Sequence, residues 1–138
     1  MQRMISPEIS NWPEDDFRLV GGACDDCGAT VFPLQDICPR CSRSAIERIQ
    51  LPERGTLIAW TTQGFLPGPP YLGNETAATF VPFGVGLVQL GDVIRVEGRL
   101  TENDPDKLAF GMEVALTAVP LGTDSAGDDV LTFAFRPL

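Results

Sequence analysis

Cys24, Cys27, Cys38 and Cys41 are the only cysteines in the chain, and their spacing carries more chemistry than any other feature. They form two C-x2-C pairs separated by ten residues. Each pair can close a tight turn that aims two thiolates at one centre, and two such turns make a tetrahedral four-sulfur site. Zinc in a structural role is the expected occupant, because four thiolates leave no coordination position for water or substrate. Iron is the other metal that knuckles such as Cys24-Asp25-Asp26-Cys27-Gly28 and Cys38-Pro39-Arg40-Cys41 can hold. Disulfides or redox-active pairs would use the same residues. Met1 to Trp12 contains no apolar run of the length a secretory leader has, however, so a cytoplasmic, thiol-reducing setting is expected.

The chain has no histidine, which removes mixed Cys/His zinc sites, Cys–His nucleophile pairs and Ser–His–Asp triads together. With its cysteines assigned to metal and no paired constellation of other groups, the chain is not expected to be catalytic alone. The formal charge is −9, from 19 acidic and 10 basic residues, and would repel a polyanion overall. Nucleic-acid binders draw affinity from Lys and Arg at phosphates, so a nucleic-acid-binding ribbon and barrel is a minor alternative. No stretch approaches the length and apolarity of a membrane helix.

One segment is locally basic: Arg40, Arg43, Arg48 and Arg54 share a stretch containing only two acids, Glu47 and Glu53. Zinc held by four thiolates carries a net charge of −2, which nearby guanidinium groups would offset. The same cluster could instead grip a polyphosphate or an acidic partner surface, since Arg forks match phosphate oxygens.

The elements that must position these groups read as three units: an arm with a short helix over 1–20, a zinc ribbon over 21–50, and a barrel over 51–138. The helix is expected because Pro13, Glu14, Asp15 and Asp16 have the composition of a first turn, before Gly21-Gly22 stop it. The ribbon is too small to bury a core, so its metal must supply most of its stability. From Gly55 onward short runs of β-branched and apolar residues are broken by Gly, Pro, Asn and Asp. Strands are expected at about 55–63, 77–90, 93–101, 111–119 and 130–136, a set that suits a five-stranded barrel of the OB type. Pro82 must mark a bulge, an edge or a break in the second of them. In the third, Ile94, Val96 and Leu100 take one face while Arg95, Glu97 and Arg99 take the other.

The proline-rich loop over 64–73 combines rigid turns with Phe65, Leu66, Tyr71 and Leu72. Those side chains, with Phe83 beyond the loop, either fold back over the barrel end or form an apolar docking patch or the mouth of an acyl-binding groove.

The ribbon with its ten-residue spacer, the Pro-rich loop, the Val81 to Leu90 run, Val96 to Leu100 and the closing Phe135-Arg136-Pro137 together resemble a known family over residues 14–138. It is the family of rubredoxin-like zinc-ribbon plus OB-fold proteins associated with acyl-CoA metabolism. The resemblance implies a non-catalytic subunit that pairs with a thiolase-fold enzyme and completes or covers an acyl-CoA site on that partner. Members serve CoA-ester thiolases, steroid side-chain aldolases or archaeal hydroxymethylglutaryl-CoA synthesis, so a thiolase complex is the first expectation and a retro-aldolase complex the second. By the same resemblance Arg40, Arg43, Arg48, Arg54, Phe65, Leu66, Tyr71, Leu72 and Phe83 are candidate contacts to the CoA ester or the partner.

Overall fold

A computed structural model describes all 138 residues and contains nine strands and no helix. The ribbon is a three-stranded antiparallel sheet ordered β3-β2-β4, built from β2 (Val20–Cys24), β3 (Thr30–Val31) and β4 (Ile46–Gln50). Beyond it, β5 (Arg54–Gln63), β6 (Phe83–Leu90), β7 (Ile94–Leu100), β8 (Glu113–Thr123) and β9 (Asp129–Pro137) run in the order β9-β7-β6-β5-β8. Pairing of β8 with β9 closes the barrel, which is the five-stranded OB arrangement expected from the pattern of short strands.

Strict alternation builds the barrel wall. In β6 the residues Gly84, Gly86, Val88 and Leu90 are buried while Phe83, Val85, Leu87 and Gln89 face outward. Strand β7 does the same, with Val96, Gly98 and Leu100 inside and its charges outside. The glycines make room: a Cβ at Gly98 would lie 2.8 Å from the Phe135 ring and 2.9 Å from that of Phe133. Strand β6 begins only at Phe83, so Pro82 ends the preceding segment rather than sitting inside a longer strand. Over Thr76–Phe80 the chain turns instead, with the Thr79 and Phe80 amides donating to the Thr76 carbonyl.

The short N-terminal helix does not form. Asn11 organises that segment: its Nδ2 donates to the Asp16 carbonyl at 2.7 Å, and its Oδ1 accepts from the Arg18 amide at 2.7 Å. An asparagine that satisfies backbone groups in this way competes directly with helical bonds, and the few residues between Pro13 and Gly21 could not repay the cost of helix nucleation.

Residues before it do not hang free. Strand β1 (Gln2–Met4) lies parallel beside β9, Met4 is buried, and Arg3 Nε donates to Asp124 Oδ2 at 2.8 Å. That hydrogen bond, then the Asp128 and Ala126 amides, hold the Asp124 carboxyl below its ordinary value of 3.8. A depressed carboxylate stabilises the fold fully above the unfolded-state value and loses its contribution as pH falls through the folded one. Thermal melts are therefore expected to drop below pH 3.8, with Arg3→Ala showing a smaller drop over the same window. An acid response that is the same in both proteins would refute the clamp.

Ribbon and barrel share one core. Leu19 and Leu51, which flank the ribbon, are buried with Leu57, Val88, Leu90 and Phe135 of the barrel, and the Leu51 amide donates to the Leu19 carbonyl. From the ribbon, Phe32 meets Phe133 edge-on at 5.9 Å and Ile49 packs against the same cluster.

Candidate functional site

The two cysteine knuckles are built alike. Cys24 accepts at its carbonyl from the Gly28 amide and donates its own amide to Ala29; Cys38 makes the same two bonds with Ser42 and Arg43, all four at 2.8 Å. The fifth residue of each knuckle has positive φ, 77° at Gly28 and 65° at Ser42. Glycine takes that conformation without strain, whereas serine pays a steric cost there, so the second knuckle is the more strained.

These turns bring all four sulfurs within 4.8 Å of one another, with Cys24 Sγ 3.6 Å from Cys41 Sγ and Cys27 Sγ 3.7 Å from Cys38 Sγ. A metal 2.3 Å from four tetrahedral sulfurs would set them about 3.8 Å apart, so the cradle fits zinc. The thiols are free, and a disulfide would need about 2.05 Å. Cys24 and Cys38 are buried, and the other two are half-buried. The Cys41 amide, followed by that of Arg40, pulls the Cys38 thiol down to about 7 despite burial. Cys41 is helped by the Arg43 amide, yet burial and the three neighbouring thiols push it up to about 12. Four such groups can ionise together only around a cation.

The basic residues near this centre disperse. Arg43 lies 4.0 Å from Asp26 in the first knuckle. Arg48, on β4, borders a surface cleft with Trp12, Glu14, Asp15 and Asp16. Arg40 borders a different cleft, between the knuckles and Asp92-Val93 at the β6–β7 turn. Arg54 is exposed at the start of β5.

The apolar candidates divide in two. Phe65 is 76% exposed just past the end of β5 and Val81 74% exposed just before β6, with Leu72 exposed and Leu66 half-buried between them. Tyr71 and Phe83 fold back onto the barrel wall. Tyr71 Oη donates to Glu75 Oε2 at 2.8 Å, and the Arg99 guanidinium lies 3.9 Å over the Phe83 ring. Burial, then the bond to Glu75 and its charge, push the Tyr71 hydroxyl above its ordinary value of 10.0, and Arg99 opposes the shift. Asn74 pins the loop by exchanging hydrogen bonds with the backbone of Thr123 on β8. Arg99 and Glu75 are the members of this group that spacing alone does not single out; the one sequence signal is Arg99's outward position on β7.

Two family models match in the same order as these two folded parts. The rubredoxin-like zinc ribbon domain of ChsH2 matches residues 12–47, and the C-terminal OB-fold domain of ChsH2 matches residues 48–119. A DUF35 domain-containing scaffold protein of Pyrococcus furiosus is 33% identical over 125 residues, covering 90% of this chain and 86% of the relative. The chain belongs to the ChsH2-type DUF35 family. Another DUF35 scaffold protein, from Methanocaldococcus jannaschii, is 25% identical over 89% of this chain and 82% of its own length. Among solved structures, a chain of the Ltp2-ChsH2(DUF35) aldolase superposes with a TM-score of 0.61 at 25% identity, covering 87% of this chain and 84% of that one. This DUF35 chain thus carries a zinc-ribbon domain whose four cysteines are gathered for metal binding, joined to an OB barrel.

Proposed function

We propose that this chain is the non-catalytic, zinc-bearing subunit of an acyl-CoA complex that makes or breaks carbon–carbon bonds. Its partner is a thiolase-fold enzyme, and the chain covers or completes that partner's acyl-CoA site. The observation that carries this reading is the ribbon-then-barrel architecture, which aligns over most of its length with the chain from the Ltp2-ChsH2(DUF35) aldolase. Its relatives are scaffold proteins by name, and its own chemistry fits the role: every cysteine sits in the ribbon and there is no histidine. A thiolase needs cysteine nucleophiles and general bases, which the partner then supplies. Cys24, Cys27, Cys38 and Cys41 hold the metal, zinc, in a closed shell with a structural role. The cytoplasm is the compartment that keeps such thiols reduced. Phe65, Leu72 and Val81, the exposed apolar residues of the β5–β6 connection, are offered to the partner.

A retro-aldolase acting on a steroid-type CoA side chain is the second reading, favoured by the aldolase complex to which the superposed chain belongs. The two separate on one requirement: thiolytic cleavage consumes free CoA, and retro-aldol cleavage does not.

Co-expression with the products of neighbouring genes, followed by size-exclusion chromatography with mass spectrometry and metal analysis, is expected to yield a stable complex with a thiolase-fold chain and zinc in the peak. A lone chain that retains no such companion overturns the proposal.

A further inference from the structure

Three basic residues of this acidic chain are half-buried rather than exposed: Arg3, Arg18 and Arg99. Arg3 pairs with Asp124 at 2.8 Å, and Arg18 with Asp16 at 3.1 Å and Glu53 at 3.9 Å. Arg99 makes no ion pair, although it is held in place by the Phe83 ring beneath it. Two of the acids near it are already engaged. Glu75 accepts the Tyr71 hydroxyl, while Glu102 accepts the Asn103 and Asp104 amides and lies 3.8 Å from Lys107. Glu97 stands two residues back on the same outward face of β7, opposite Leu87 of β6, and makes no ion pair with Arg99. A partly desolvated guanidinium without a counter-ion is costly, and its planar fork matches an oxyanion better than any other group does.

Beside Arg99 a cleft of about 250 Å³ is lined by Pro82, Phe83, Asn103, Val119 and Pro120, and by Glu102, whose carboxylate is turned to the Asn103 and Asp104 amides. Its walls are thus mixed, apolar at Phe83, Val119 and Pro120 and polar at Glu102 and Asn103, with Arg99 as the one cation. Drug-sized sites run to about 300–1,000 Å³, so the occupant must be small.

We propose that this cleft binds a small organic anion, its carboxylate or phosphate on Arg99 and its apolar body against Phe83, Val119 and Pro120. Tyr71 braces the guanidinium from the loop side, and Asn103 supplies an amide at the rim. The site is complete within this chain and does not depend on the partner reading.

The test is an NMR titration of the isolated full-length chain with sodium hexanoate and with hexyl phosphate, using acetate and hexanol as controls that lack the body or the charge. Saturable shifts confined to the amides of 83–84 and 99–103 are expected, with hexanoate or hexyl phosphate binding more tightly than acetate or hexanol. The stronger of the two names the oxyanion. Because charge-assisted hydrogen bonds contribute about 1.5–3 kcal/mol, Arg99→Gln should weaken binding by about tenfold or more, with Arg99→Lys in between. Asn103→Asp keeps an acceptor for the Thr62 hydroxyl, adds a negative charge at the rim, and should weaken binding even if Arg99→Gln does not fold. Hexanol binding as tightly as hexanoate, unchanged affinity in Asn103→Asp, or no saturable shift overturns the proposal. The experiment contains no partner protein, so its failure and a failure to copurify are read separately.

Discussion

Cys38→Ser is expected to purify without metal, to lose the ordered ribbon and to release the partner subunit, while the barrel strands stay paired. The ribbon strands are only two to five residues long, and what they bury, chiefly β2 with Val31, is too little to hold the ribbon without its metal. In zinc-finger peptides a structural zinc contributes about 10–16 kcal/mol of binding free energy, most of which is folding free energy. A serine hydroxyl is a hard, weakly acidic ligand in place of a thiolate, and it would replace a thiol whose ionisation the Cys41 and Arg40 amides favour. Loss of the knuckles would free Phe32 from Phe133, so the barrel should melt lower even though its own closure, β8 on β9, is untouched. Metal analysis, hydrogen exchange and copurification check the three parts. Exchange should rise over Val20–Gln50 and stay slow in β6, β7 and β9. A metal-free variant that still holds its partner would remove the ribbon from the docking surface.

What could be read from residue order was what local spacing controls. The C-x2-C pairs are self-contained turns, so their convergence on one centre followed from sequence, and the alternation in Ile94–Leu100 correctly put Val96 and Leu100 inside. Pairings between distant residues had no local trace. Arg3 and Asp124 are 121 positions apart, and nothing near Gln2–Met4 announces a strand that lies parallel to β9. The helix expected after Pro13 failed for a related reason. Acidic first-turn composition was visible, but the decisive group was Asn11, whose amide closes the loop across seven residues to Arg18. Sequence proximity also grouped Arg40, Arg43 and Arg48, which the knuckle and strand β4 then send to separate clefts. Arg99 was legible only as an outward charge. Its interest comes from the ring of Phe83 across the β6–β7 pair and from Glu75 and Glu102, which are engaged elsewhere.

Phe135→Ala should be the most damaging single change to the barrel. Phe135 is fully buried on β9, faces Gly98, and meets Phe133 edge-on at 6.1 Å, which in turn meets Phe32 of the ribbon. Truncating such a ring costs about 3–5 kcal/mol, against a total stability of about 5–15 kcal/mol for a domain. At about 3–5 °C per kcal/mol for a chain of this size, the melting temperature should fall by about 10–20 °C. Gly98 provides the internal check. A methyl added there in the native protein collides with the Phe135 and Phe133 rings, so Gly98→Ala alone should destabilise by about 1–3 kcal/mol. With Phe135 already removed, the same methyl enters the vacated space, and its cost should shrink or reverse sign. A double-mutant cycle by thermal denaturation measures that coupling directly. Strict additivity of the two substitutions would mean that Gly98 is not held to glycine by the Phe135 ring.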